Sequence, residues 1–133
     1  MKNRMLIVLL FTIFGVSTAY ANTQAQREIS TAITHASLAD KMTNVSQVDL
    51  HLHHVINCLV GTKGVGFDAK AGDPCLGMGN GAINDYKGDK VNRDMLKQAL
   101  EDAQYGLMTK RVNIARNAAD MAEKRLKEAR EGL

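Results

Sequence analysis

Three imidazoles and a thiol lie within one short stretch, Ser46 to Val60, which reads SQVDLHLHHVINCLV. His51, His54 and Cys58 are separated by three, four and seven residues, the intervals that stack side chains on one face of an α-helix. Imidazoles so placed can share one metal ion, and copper, nickel and zinc all accept them. His53 falls on the opposite flank, so this helix cannot complete a coordination sphere alone. The remaining histidine, His35, lies with Met42 on the flank of the preceding helical segment, and Met78 follows in the glycine-rich text beyond. The expected ligands are therefore His51 and His54, with His35 and His53 as further candidates and the thioethers in reserve.

Cys58 also sits four residues after His54, within reach of a base that would lower a thiol pKa. The chain has only one other cysteine, Cys75. In an oxidising compartment those two are expected to form a disulfide, which removes Cys58 both as thiolate ligand and as nucleophile. No pair of carboxylates is placed for acid–base work, because Glu101, Asp102 and Glu123 lie among basic residues. Gly61 to Gly66 lacks the GK[ST] ending of a phosphate-binding loop, and Gly77, Gly79 and Gly81 follow no strand-like run. Asp68, Asp73, Asp85 and Asp89 are spaced too widely for an EF-hand loop. The expectation is a binding protein and not an enzyme.

Export is written at the start of the chain. Lys2 and Arg4 precede an apolar run from Met5 to Val16, and Ala19-Tyr20-Ala21 has the form of a cleavage site. The run is shorter than the roughly 20 residues of a membrane span. Residues 1–21 are read as a signal peptide and 22–133 as the mature, periplasmic chain, with no membrane span. The net charge of +3 includes Lys2 and Arg4, the only charged residues of that segment, so cleavage leaves +1. Such a balance, with scattered lysines and arginines, gives no nucleic-acid-binding surface.

The elements that must hold the histidines in place follow from periodicity. Ile29, Ala32, Ile33, Ala36 and Ala39 predict a helix over about 24–43, opened by a Thr23–Gln26 capping box. Val45, Val48, Leu52, Val55, Ile56 and Leu59 predict a second over 46–60, with Ser46 and Asp49 as its capping box. So short a turn between them favours a helical hairpin that brings His35 towards His51. Leu96, Ala99, Leu100, Ala103 and Leu107 predict a helix over 92–106, capped by Asn92 and ended near Gly106. Val112, Ala115, Ala118, Ala119, Ala122, Leu126 and Ala129 predict the last, over 109–131 and capped by Thr109. Lys124, Arg125, Lys127 and Arg130 then form a solvated end favourable to the helix dipole.

Between the two pairs, residues 61–91 hold eight of the eleven glycines and the only proline, with no sustained period. They are read as a long loop, stapled to the second helix by Cys58–Cys75. Closing some 15 residues in this way is worth ~3 kcal/mol in the chain-entropy model. With no tryptophan and many alanines, the fold class is all-α, an antiparallel four-helix bundle of two hairpins joined by this crossover loop.

The phrases ITHASLADKM and HLHHVINCLVG, followed by LKQALEDAQYGL and ARNAADMAEKRLKEA, resemble the small metal-binding proteins of the bacterial periplasm, His-containing antiparallel four-helix bundles. The resemblance implies uptake of copper, nickel or a similar divalent ion, with His35, His51, His53 and His54 as the positions able to carry ligands. The second expectation, of another class, is a structural or protein-interaction module of the cell envelope that recognises its partner through the disulfide-tied loop.

Overall fold

A computed structural model describes the backbone of residues 14–133 and the side chains from residue 20 onward. The charged start and most of the apolar run of the expected export signal lie outside the described residues. The chain forms four long helices, α1 (Phe14–Lys41), α2 (Val45–Val60), α4 (Lys90–Leu107) and α5 (Val112–Glu131), with a single turn, α3 (Ala82–Asp85), between the pairs. Helices α1 and α2 form one hairpin and α4 and α5 the other, while α1 packs on α5 and α2 on α4. No described helix is long and apolar enough to cross a membrane.

The stripes that predict the helices are the stripes that the fold buries. Ile29, Ala32, Ile33, Ala36 and Ala39 of α1, Val48, Leu52, Val55, Ile56 and Leu59 of α2, and Ala115 to Ala129 at helical spacing in α5 enter one core. Alanines on both α1 and α5 let their backbones approach closely, and the larger aliphatic residues of α2 fill the middle. Gly106 belongs to this packing and does not end its helix. A Cβ there would stand 2.5 Å from Leu52 Cδ1 and 3.2 Å from Ala118 Cβ, so glycine admits α2 and α5 against α4.

The starts of α2, α4 and α5 differ from expectation by one to three residues, and that of α1 by ten. Helix α1 runs through Thr23–Gln26, which is helix interior and not a cap. Asn44, not Ser46, caps α2: its Oδ1 accepts from Gln47 N at 3.0 Å while its Nδ2 donates to Gln47 Oε1. Asp89 caps α4, accepting from Asn92 N at 2.9 Å, so Asn92 is the third residue of the first turn. Thr109 Oγ1 accepts from Arg111 N two residues ahead of α5, whose cap position is Arg111. For α2 and α4 two polar residues stood within reach of the same turn, and backbone geometry chose the earlier one.

The span expected as one loop, 61–91, is broken by α3 and by the first turn of α4. Its irregular part leaves α2 at Gly61 and enters α3 at Gly81, and these two glycines, both at positive φ, lie backbone to backbone. A side chain on either would overlap the other strand of this neck. Beyond it, Cys75 is joined to Cys58, with Cα atoms 5.2 Å apart.

Candidate metal centre

The α1–α2 hairpin brings three of the four histidines together. His35 Nδ1 lies 3.1 Å from His51 Nδ1 and 3.2 Å from His54 Nδ1. One ring nitrogen from each of the three fits within a 4.8 Å span, the only such group of metal-binding side chains among the described residues. Two nitrogens bound to one zinc at 2.0–2.1 Å and a tetrahedral angle stand ~3.3 Å apart. The two measured edges are thus close to those of a coordination sphere, and the half-buried trio could hold a metal ion. The His54 ring packs edge to face on both others, with the His35 and His54 centroids 4.5 Å apart, while His35 and His51 are tilted by 31°.

The surroundings of His35 and His51 disfavour their charged forms. Burial lowers the His35 pKa to about 4, and the charges that His54 and His51 would carry push it the same way. Burial, then His54, also lowers that of His51. Burial thus favours the neutral forms of His35 and His51, the forms in which an imidazole can ligate a cation. His54 Nε2 points away from the cluster to the carbonyl of Ala71, at 2.7 Å.

His53 lies apart from this trio, as its position on the helix requires. Its Nδ1 is 3.7 Å from Asp68 Oδ2 on the other flank of α2. Cys58 is fully buried and bonded to Cys75, whereas the helical spacing had set it on the flank with His51 and His54. Met42 is packed against the core. Met78 Sδ accepts from Thr31 Oγ1 at 3.6 Å and lines a surface cleft with Gln26, Arg27, Ser30 and Arg130.

Two polar residues that spacing alone did not single out are built into the same hairpin. Asn57, fully buried in α2, donates from Nδ2 to the carbonyls of Asp68 (2.8 Å) and Gly72 (2.7 Å) and accepts from Asp68 N (2.9 Å). Glu28, 1 % exposed, accepts from Gly81 N through Oε1 at 2.9 Å, while its Oε2 is buried without a hydrogen-bond partner. Asp85 faces the same spot and accepts from the backbone and side-chain nitrogens of Asn80. Gly79 lies between the two carboxyls, where a Cβ would overlap Asp85 Oδ2 and come within 2.7 Å of Glu28 Oε1. Burial raises the Glu28 pKa to about 7; the Gly81 N–H opposes this, Asp85 and Asp73 add to it, and Arg27 opposes it. The signal for both residues is their phase: Glu28 falls in the stripe between Ala25 and Ala32, and Asn57 lies between Ile56 and Cys58.

Compared with known proteins, the chain matches no family model, no curated protein and no solved structure. What stands is an all-helical domain with a three-histidine cluster.

Proposed function

We propose that the protein binds one divalent or soft transition-metal ion, copper, nickel or zinc, through His35, His51 and His54, as a non-enzymatic protein of the periplasm. The observation that carries this reading is the convergence of three Nδ1 atoms from two helices at spacings a single ion would span. An all-imidazole donor set suits these borderline metals. With both thiols in a disulfide, softer ligation is removed, and the disulfide itself fits an oxidising compartment. The scaffold in this reading is an antiparallel four-helix bundle, with the glycine-rich segment as its crossover loop and the charged, apolar start as its export signal.

Calorimetric titration of the oxidised protein with copper or zinc tests the proposal. One ion per chain is expected, with affinity lost in the double variant His51→Ala, His54→Ala. Binding weaker than about 100 μM, or binding indifferent to that double variant, would sink it.

One observation favours the second reading, an interaction module of the envelope. Val65 and Leu76, on the segment between α2 and α3, are 93 % and 74 % exposed. Replacing both by serine abolishes partner capture in that reading and leaves metal uptake untouched.

A further inference from the structure

The metal-site histidines are not held by helices alone. His54 Nε2 lies 2.7 Å from the Ala71 carbonyl, a group that only accepts hydrogen bonds. In the neutral ring Nε2 must then carry the proton, which leaves Nδ1, the atom facing His35, with a bare lone pair. The Ala71 carbonyl sits in the turn 68–72, which Asn57 clasps to α2. One turn beyond His54 on α2, the Asn57 amide spends both donors on the carbonyls of Asp68 and Gly72 and its oxygen on Asp68 N. Gly72, at φ +88°, brings that turn close to the ring; a Cβ there would lie 3.8 Å from His54 Nε2.

We propose that Asn57 is the positioning residue of the metal site: it clasps the turn 68–72 so that the Ala71 carbonyl fixes His54 in the Nε2–H form, with Nδ1 free for the ion. This rests on the metal-binding reading above and adds to it which nitrogen binds and what holds it ready. A fully satisfied, fully buried amide that bonds only to the backbone of one turn does more than fill space, because that turn's one contact with a converging imidazole is the carbonyl beside Gly72. The same tether acts with the Cys58–Cys75 bond to keep a segment of so little apolar surface registered against α2.

The test uses the full, disulfide-bonded protein and reads the tautomer directly. In the metal-free wild type, long-range proton–nitrogen imidazole spectra are expected to show His54 protonated at Nε2. A His54 protonated at Nδ1 overturns the proposal whether or not any variant folds. In Asn57→Ala the His54 signals are expected to pass to mixed tautomers and zinc affinity to fall about 10- to 100-fold. An unchanged tautomer with affinity kept within about twofold also overturns it. Asn84→Ala, which removes a different contact of the segment, to the Val60 carbonyl, is the control and is expected to leave both readings as they are. Failure of the two claims is distinguishable. A wild type that takes up no zinc but shows His54 as Nε2–H defeats the metal reading and keeps the clasp, whereas zinc uptake with His54 as Nδ1–H does the reverse.

Discussion

Seven residues apart on α1, Glu28 and His35 each lead a polar site turned towards the core, and the two are opposite in kind. Around His35, three ring nitrogens converge from two helices, an arrangement that an ion with directional bonds would complete. Around Glu28, two carboxyls meet beside Gly79 with one oxygen unbonded, an arrangement completed by a single proton. Burial acts on both in the direction of neutrality, lowering the imidazole pKa and raising the carboxyl pKa. What separates a binding site from a structural joint on the same helix is therefore the partner set: side-chain donors able to share an ion in one case, backbone N–H groups in the other.

The contrast predicts opposite responses to pH, and the largest effect belongs to Glu28. Its folded pKa, about 7, lies above the unfolded value of 4.5, so the wild type loses stability as pH rises between the two. Glu28→Gln should thus gain on the wild type by about 3 kcal/mol from pH 4.5 to pH 7, read by urea melts across that range. For His35 the folded pKa, about 4, lies below 6.5, and wild-type stability falls as pH drops through that window. His35→Gln should gain on the wild type as pH falls, by less, because solvent reaches the ring. Parallel slopes for the two variants would break the comparison.

Ligand binding comes next in size. Zinc at one hundred times its dissociation constant should stabilise the wild type by about 2.7 kcal/mol, measured as a shift in melting temperature. Glu28→Gln should keep that increment and His35→Ala should lose it; an increment lost in both would mean that the sites are one cooperative unit. Gly79→Ala, which forces a methyl between the carboxyls, should cost about 1–3 kcal/mol in denaturant melts and leave zinc affinity unchanged. The smallest effect is that of His53→Ala. It removes a partly exposed pair with Asp68, so calorimetry should show the same zinc affinity and melts a loss below about 1 kcal/mol.

The helical stripes were legible because each sets five to seven apolar residues at helical spacing, as from Val112 to Ala129 in α5. The pairing of His35 with His51 and His54 was legible to the extent that a short turn forces α1 and α2 together. Caps were less so: Asn44 and Ser46, or Asp89 and Asn92, offer equivalent chemistry two or three residues apart, and only the path of the preceding backbone decides. The angular flank assigned to Cys58 failed because its partner is Cys75, on a segment that folds over α2 and turns that flank into interior. Asn57 and Glu28 showed only as polar residues in apolar surroundings, and their roles were hidden for a related reason. Their partners are backbone groups of Asp68, Gly72 and Gly81, and no side-chain code announces a carbonyl or an N–H.

At the neck where Gly61 meets Gly81, the polypeptide leaves the helical body and rejoins it backbone against backbone. The ends of α2 and α3 are thus held side by side whatever the length of chain between them. An engineered insert at Gly77, beyond the disulfide and the Asn57 contacts and facing open space, would ride outside the packed core like a bead on a closed ring, its length adding little to the entropic cost of closure.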